Sequence, residues 1–481
     1  MVFLRQLAPA QAIIASLLIT PPLAAQDRPP TSFGIFPDLG RCNVMGVPVG
    51  VVEPDATGAA LGLRPGDVIV ETNHSPIRSD ADLVRFVRAM RAGDSLVVTV
   101  LRDGRTVTLT GTAISGGPPP AMTIRRPGGA AGAAVRVTAE EARHTVLEFA
   151  RLVEANYFDP VRAGQYAEAL RSRAAAGAYD DAATAGVLAE GVSADIQSVA
   201  PEGHLRLLAG GSVQPAPRPT PINPAAEAAV MEPGPGKDIE VARWLAPGIA
   251  YVRLVRFTSD PALAAAVTKF MQDHAGAKTI LFDLRGNSGG TTRPTDTILP
   301  YLFPRPTPLL RFDVRASAAA RLGGLPPSPT ERGISSSGDV LTREYYVSPH
   351  QSERRLFDAT VFVLTSGRTA SAAEHFAFAL QASGRGRVIG EKTAGAGNYS
   401  FFGYEPVGTA FRAFVPNGRP YDPRTGRGWE VTGVTPDLPV PANAALREAL
   451  IRSGLRPAEA ERVAANIPCA TPTFTITRPG G

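Results

Sequence analysis

Several features that define other classes of protein are scarce in this chain of 481 residues. It has two cysteines, Cys42 and Cys469, too few for a disulfide scaffold, and neither lies in a reactive or metal-binding motif. The basic residues are almost all arginine and form no Lys/Arg block, so the formal charge of +5 predicts a solvated surface and no nucleic-acid partner. The nucleotide-binding motifs G-x-G-x-x-G and the P-loop are absent.

Long apolar runs are also missing, except near the N-terminus. The stretch "MVFLRQLAPAQAIIASLLITPPLAAQD" has a basic Arg5, an apolar run to Ile19 and the small residues "LAA" before Gln26. This order predicts a secretory signal peptide over residues 1–25, removed to leave a secreted or periplasmic chain without an integral membrane segment. In that oxidising compartment Cys42 and Cys469 could pair, and the sequence leaves this open.

The length predicts two to four domains. Residues 31–113 form a first module of apolar strands and short helices, with a hairpin signal at Asp103-Gly104. The run "AALGLRPGDVI" resembles a PDZ domain. By that resemblance the segment "SFGIF", with Phe33, Gly34, Ile35 and Phe36, holds a peptide carboxylate on backbone N–H groups. The alternative is an ordinary buried first strand.

The rest of the chain alternates linkers with periodic segments. Residues 114–136 and 207–237 are Pro/Gly-rich and predict linkers, and residues 137–206 show helical periodicity. Residues 238–460 alternate apolar strands with helices, which predicts an α/β core, and residues 461–481 are expected to form a loose tail.

One serine lies where a strand meets a helix. In "VLTSGRTASAAEHFAFAL" the segment runs from strand through a turn of small residues to Ser371 and a helix. A serine at this position is most often a helix N-cap. The small neighbours, however, leave the hydroxyl accessible, and the helix start places the N–H of Ala372 where an oxyanion can form. These features favour a nucleophile.

A second glycine-rich turn, "DLRGNSGG", also ends a strand. Since the ends of parallel strands gather at one edge of a sheet, Gly289 or Gly290 can present another backbone donor beside Ala372. By itself this turn is weak evidence, because Asp and Asn beside Gly are common turn residues.

The two motifs "DLRGNSGG" and "TSGRTASAAE", in this order, resemble the tail-specific or C-terminal processing protease family, which includes the tricorn protease core and is similar to the repeats of interphotoreceptor retinoid-binding protein. The resemblance implies a crotonase/ClpP-like core with Ser371 as nucleophile and Ala372, Gly289 and Gly290 as the oxyanion hole. In the processing branch the PDZ domain follows the helical segment, whereas here it precedes it.

The base is implied by the same resemblance. The processing branch uses a lysine where "TAGAG" has Ala396, so the usual Ser-Lys dyad is missing and Lys392 is the remaining lysine candidate. "EGHL" resembles the "D-G-H-L" segment of the tricorn-like branch, which makes His204 the base, although Glu202 replaces aspartate. "GRGWEVTGVTPD" resembles a segment that makes Glu430 the orienting acid. Asp437 is expected to be a turn residue.

Together these features predict a secreted serine peptidase that cleaves unfolded or C-terminal segments through an acyl-enzyme, without metal or organic cofactor. Its expected partners are protein or peptide substrates, including those with a free C-terminus. Two alternatives remain open: a peptide- or lipid-binding protein on the same fold, and a Ser-Lys dyad protease.

Overall fold

The computed structural model describes residues 33–37, 43–44, 46–78, 80–114, 135–210, 238–325 and 328–467. The chain divides into two compact units, a smaller one built mainly from Val49–Ala121 and a larger one built mainly from Met122–Thr477. The predicted signal peptide, most of both linkers, Cys42 and Cys469 lie outside the described residues. Within the described ranges, no helix combines the length and the apolar character needed to cross a membrane.

The smaller unit is a six-stranded sheet with two helices, Thr57–Ala60 and Asp80–Ala89. Its hairpin turns at Asp103 and Gly104, both with positive φ, as the sequence predicts. Arg102 donates two hydrogen bonds to the buried Asp67 and ties the hairpin to the turn before the third strand. The strands are Ile35–Pro37, Val47–Val52, Val68–Thr72, Ser75–Pro76, Ser95–Arg102 and Arg105–Thr112.

The "SFGIF" segment combines features of both expectations. Phe33 is 3% exposed and packs edge-on against Phe86, with ring centroids 6.0 Å apart. Its side chain therefore belongs to the core of this unit. The strand Ile35–Pro37, by contrast, is at an edge of the sheet, and an edge strand keeps backbone groups that a peptide can pair with.

Three helices open the larger unit. Each begins at a residue whose side chain accepts a backbone N–H: Thr138, which forms a capping box with Glu141, then Asp159 and Thr184. The short strand Arg206–Ala209 follows, whereas the sequence predicted a linker from residue 207. This strand pairs with one strand of a hairpin about 200 residues later in the chain. The helices are Ala139–Asn156, Pro160–Ala175 and Ala185–Val199. The strands are Arg206–Ala209, Phe411–Phe414 and Tyr404–Val407.

The predicted α/β core is confirmed. Its six strands are parallel except the first, which pairs antiparallel with the second. Alternate residues of one strand face opposite sides, since Ile280 and Phe282 join one apolar cluster and Leu281 joins another. The strands are Ile239–Ala246, Ile249–Leu254, Thr279–Asp283, Thr360–Thr365, Arg387–Gly390 and Leu438–Pro439.

Helices cover both faces of this sheet. Pro261–Asp273 and Ala372–Ala382 contribute buried residues to one cluster, and the two C-terminal helices contribute to the other. The first begins at Asp260-Pro261, as predicted, because Asp260 accepts the N–H of Ala262. The remaining helices are Arg293–Ile298, Ala316–Arg321, Ala442–Arg452 and Pro457–Ala465, with a 3₁₀ turn at Leu299–Tyr301.

Two further features differ from the sequence expectations. The tail predicted from residue 461 is wrong as far as Ile467, because the helix Pro457–Ala465 crosses that boundary and buries Ala464 and Ile467 against the core. In addition, segments of the chain that alternate with the core strands form a four-stranded antiparallel sheet, which the sequence did not predict. Its strands are Thr307–Arg315, Glu331–Ser337, Val340–Val347 and Gly418–Tyr421.

Candidate active site

Ser371 is held in a strained backbone conformation at the start of the helix Ala372–Ala382. Its φ of 54° and ψ of −124° lie in a region that residues other than glycine rarely adopt, and this conformation costs roughly 1–3 kcal/mol. Ser371 is partly exposed. Ala372 is the first residue of the helix, so its N–H has no carbonyl acceptor within the helix. This sharp strand-to-helix turn presents the hydroxyl in the manner of a nucleophile elbow.

Glu374 holds this turn in place. The carboxylate is completely buried and accepts the N–H groups of Ser371, Gly395 and Ala396, each at 2.8 Å, together with the hydroxyl of Thr393. Burial raises the pKa of Glu374, although these hydrogen bonds work in the opposite direction. Glu374 thus braces both the backbone of Ser371 and the loop 393–398.

The two glycine-rich turns are joined to each other. Hydrogen bonds run from the turn before Ser371 to three backbone carbonyls of the other turn: Ser366 Oγ to Arg285, Thr369 Oγ1 to Leu284, and the Ala370 N–H to Asn287. Motifs about 80 residues apart in sequence therefore form one structure.

Gly289 lies directly against Ser371. A Cβ at this position would be 2.7 Å from Ser371 Cβ and 2.9 Å from the backbone nitrogen of Ala372, and its φ is 95°. Its own N–H donates to Asn287 Oδ1 at 2.8 Å, so this donor is engaged within the turn. Gly290 follows with a φ of 131°, and a Cβ there would be 1.9 Å from the carbonyl oxygen of Phe257. Both positions require glycine.

His204 and Glu430 form a pair. Nδ1 of His204 is 3.8 Å from Glu430 Oε2, which is longer than a hydrogen bond, and it has no hydrogen-bond partner among the described residues. The imidazole stacks on Phe414, with centroids 5.4 Å apart and an interplanar angle of 29°. The side chains of His204 and Glu430 are 12% and 17% exposed.

Glu430 is surrounded by backbone donors. The N–H of Gly203 donates to Oε1, and the N–H groups of Gly397 and Asn398 donate to Oε2, each at 2.6 Å. Burial by itself would raise the pKa of Glu430, but the neighbouring imidazole and these N–H groups outweigh it and lower the pKa. This carboxylate is therefore ionised at neutral pH and can stabilise an imidazolium.

The loop 393–398 connects the two halves of the site. Ala396 donates to the Glu374 oxygen that also accepts the N–H of Ser371, while the next residue, Gly397, donates to Glu430. The side chain at position 396, where the processing branch has lysine, is a methyl group. Lys392 is exposed at the start of this loop.

A metal would fit this cluster poorly. One ligand atom from each of Glu202, His204 and Glu430 lies within 4.8 Å of the others. Glu202 already accepts the Tyr157 hydroxyl, the Asn398 amide and the His204 N–H, and Glu430 accepts three N–H groups. A cation would have to displace these donors from the oxygens it needs.

Sequence reasoning did not assign roles to two residues at this site. Phe414 stacks on His204, and Asn398 contacts both Glu202 and Glu430. Neither position stands out in the sequence, since Phe414 belongs to an ordinary short strand and Asn398 follows a glycine, as turn asparagines often do.

A strained serine at a helix start, a glycine turn against it, and an imidazole–carboxylate pair whose carboxylate binds the adjoining loop are features of serine hydrolases. Residues 248–440 match the model of peptidase family S41, and residues 25–111 match that of the PDZ domain. The chain therefore contains a family S41 peptidase domain preceded by a PDZ domain, which confirms both resemblances. His204 lies outside the matched range.

Individual relatives share shorter segments. The metalloprotease MmpA of Caulobacter vibrioides is 45% identical over 64 residues, covering 13% of this chain and 16% of that protein. A Rhizobium meliloti protein named as a DegP-like periplasmic serine endoprotease is 36% identical over 89 residues, 18% of this chain and 17% of that one. The chain spans 10% to 21% of the length of the curated relatives it matches.

Among solved structures, the photosystem II D1 C-terminal processing protease aligns with 87% of this chain and 80% of its own, at 17% identity and a TM-score of 0.30. At that level the match adds nothing about function.

Proposed function

We propose that this protein is a serine peptidase in which Ser371 is the nucleophile, His204 the base and Glu430 the orienting acid. Ser371 Oγ attacks the peptide carbonyl carbon while His204 Nε2 takes the hydroxyl proton. The same nitrogen gives this proton to the amine nitrogen as the C–N bond breaks. Water then attacks the acyl-enzyme ester, again losing a proton to His204, which returns it to Ser371 as the acid product leaves.

The developing oxyanion is assigned to the N–H of Ala372 and to the Gly289/Gly290 turn. Because the Gly289 N–H is engaged by Asn287, Gly290 is the better second donor. The observation that carries the proposal is the strained φ of Ser371, maintained by the four donors to Glu374 in a chain with a family S41 domain.

The distance of 3.8 Å between His204 and Glu430 keeps the binding-protein alternative testable. In a peptidase this contact shortens when substrate is bound, as catalytic hydrogen bonds commonly do. In a binding protein the distance between His204 and Glu430 has no reason to shorten when the ligand binds. The Ser371–Lys392 dyad has less support because Lys392 is exposed, whereas Ala396 occupies the position beside Glu374.

The proposal is tested with a fluorophosphonate probe and an unfolded protein substrate. The full chain should be labelled at Ser371 and should cleave the substrate, while Ser371→Ala should do neither and keep its melting temperature. Ser383→Ala is the matched control, because Ser383 lies at the other end of the same helix and its hydroxyl donates to carbonyls of that helix. Equal labelling of wild type and Ser371→Ala would contradict the proposal.

The PDZ domain is proposed to select substrates with a free C-terminus through the edge strand Ile35–Pro37 and the backbone around Gly34. A peptide acid should bind the full Ser371→Ala chain at least about tenfold more tightly than its C-terminal amide, since the amide lacks the charge that N–H groups recognise. Equal affinities would mean that this unit does not read the terminus.

Secretion or periplasmic location is proposed from residues 1–25. Expression of the full chain in a bacterial host should yield an extracytoplasmic protein whose first residue, by N-terminal sequencing, is near Gln26. An intact Met1 on the mature protein would contradict this.

A further inference from the structure

The cluster around His204 contains a second buried carboxylate that the proposed mechanism does not use. Glu202 is 4% exposed, and it lies with His204 and Glu430 in the group whose ligand atoms are within 4.8 Å of one another. Two ionised carboxylates this close repel each other, and burial leaves little solvent to screen them. Their relative position must therefore be maintained by other groups.

Asn398 contacts both carboxylates. Its backbone N–H donates to Glu430 Oε2 at 2.6 Å, and its side-chain Nδ2 donates to Glu202 Oε2 at 2.8 Å. The residue is 3% exposed, so both hydrogen bonds are shielded from water. Asn398 Oδ1 is buried without a hydrogen-bond partner in the described part of the chain, which means that the amide acts here through its donor end.

Glu202 in turn holds the backbone of the base. Its Oε1 accepts the N–H of His204 at 2.9 Å, and its Oε2 also accepts the hydroxyl of Tyr157 at 2.6 Å. Glu430 faces the other side of the same residue, at Nδ1 of the ring. One carboxylate thus fixes the main chain of His204 and the other faces its side chain.

We propose that Asn398 is a positioning residue that fixes the His204 ring relative to Glu430 by bridging Glu202 and Glu430. The inference rests on the proposed function, because it assigns a role within the same triad. An amide suits this place because it donates a hydrogen bond to a carboxylate without adding charge. An aspartate has the same shape but presents an acceptor to an acceptor.

The charge states of the two acids agree with this arrangement. Burial raises the pKa of Glu202, and repulsion from Glu430 raises it further, whereas hydrogen bonds from Tyr157, His204 and Asn398 lower it. The Asn398 amide therefore helps to keep Glu202 as an acceptor for the His204 N–H while Glu430 remains the acid that faces the imidazole.

The test compares the isosteric change Asn398→Asp with a double variant in which the carboxylate of Glu202 and the amide of Asn398 exchange places. Asn398→Asp should lower kcat about 10²-fold, because it misplaces the His204 ring. KM should stay within about threefold of wild type, because substrate binding is not affected. Glu202→Gln combined with Asn398→Asp restores a carboxylate–amide contact in the reverse order. This double variant should recover about tenfold of the lost kcat. All rates are measured on the full chain and divided by the folded fraction.

Asn156→Asp is the matched control, since Asn156 is 2% exposed and hydrogen-bonded away from the cluster, to Leu152 and Arg321. Its kcat should stay within about twofold of wild type. If Asn398→Asp does not fold, Tyr157→Phe replaces it. That variant removes one hydroxyl from Glu202 and should lower kcat severalfold at unchanged KM.

Wild-type kcat in Asn398→Asp, or no recovery in the double variant, would overturn the inference, as would unchanged kcat in Tyr157→Phe if that variant is the one used. These results leave the triad itself untouched, provided that Ser371→Ala is inactive. If Ser371→Ala keeps its activity, the proposed function fails first, and the inference falls with it for a separate, recognisable reason.

Discussion

Ser371 and His204, the proposed nucleophile and base, are held by different means. The backbone of Ser371 is fixed by Glu374, a buried carboxylate with four donors, and by a helix packed into the α/β core. His204 lies in a short turn between the helix Ala185–Val199 and the four-residue strand Arg206–Ala209, and Nδ1 of its ring has no hydrogen-bond partner among the described residues. The α/β core fixes the backbone of Ser371, whereas the position of His204 depends on how the helical part packs on that core.

Because of this difference, we expect substitutions near Ser371 and substitutions near His204 to lower turnover in different ways. A single change beside Ser371 should lower turnover strongly, because that geometry cannot relax in a packed core. Changes beside His204 should be graded, because several weak contacts share the task of orienting one ring.

The largest effect on the base side is expected from His204→Ala. Removal of the proton acceptor should lower kcat/KM about 10³-fold or more, since a serine hydroxyl without a base is a poor nucleophile. Lys392→Ala is the control and should stay within about twofold of wild type, because Lys392 is exposed. The reverse ranking, measured on one peptide substrate, would contradict the triad and support the dyad.

Glu430→Gln should follow, with turnover lowered about 10²–10⁴-fold while KM changes little. The glutamine cannot stabilise an imidazolium by charge, and its NH₂ group would face backbone N–H donors on either oxygen position. Asp437→Asn serves as the comparison, since Asp437 accepts only the Val388 N–H among the described contacts and should affect turnover weakly. Near wild-type turnover in folded Glu430→Gln would place the orienting carboxylate elsewhere.

On the side of Ser371, Gly289→Ala should lower kcat about 10²-fold. The new methyl group would be 2.7 Å from Ser371 Cβ, and alanine is strained at a φ of 95°. Gly164→Ala provides the control, because the position is helical and a Cβ there would have no atom of the described residues within 4 Å apart from its own stretch of helix. Full activity in Gly289→Ala, measured as the fluorophosphonate labelling rate, would show that the core does not hold Ser371 as tightly as argued.

Phe414→Leu should have a smaller effect, lowering kcat by about tenfold or less. An aromatic contact of this kind contributes about 0.5–1.5 kcal/mol, and the other contacts of His204 remain. Phe402→Leu is the matched change, because Phe402 lies under Arg321 in the same region. A loss as large as that of His204→Ala would mean that the base is held by one contact and not by several.

The smallest effect concerns stability. Burial raises the pKa of Asp296 to about 7, and its carboxyl accepts the hydroxyl of Tyr345 at 2.6 Å. A raised folded-state pKa favours folding below the unfolded value of ~3.8, and this contribution is lost as pH rises toward 7. Asp296→Asn should therefore stabilise the protein at pH 8 by about 1 kcal/mol, a reduced figure because the side chain is only partly buried.

At pH 4 the two proteins should differ much less, since Asp296 is then protonated in the folded state. Urea titrations at both pH values measure the difference. A gain that is the same at pH 4 and pH 8 would show that titration of Asp296 is not its cause.

The sequence by itself determined the α/β core, the strand-to-helix turn at Ser371 and the hairpin at Asp103-Gly104. These features follow from local periodicity and from glycine, aspartate and small residues at fixed offsets. Local rules also predicted that the helix Pro261–Asp273 begins after Asp260. The tail was predicted wrongly because a short alanine-rich segment becomes a helix only when Ala460 and Ala464 have a core to pack on.

Tertiary structure alone decided how the site is assembled. His204, Ser371 and Glu430 are far apart in the chain. Glu374 accepts the Ser371 N–H, Glu430 lies beside His204, and these two carboxylates bind successive N–H groups of the loop 393–398. The strand Arg206–Ala209 acquires its place by pairing with Phe411–Phe414, some 200 residues later. Backbone hydrogen bonds between such distant segments carry no local sequence signal, because every residue except proline offers the same N–H and C=O groups.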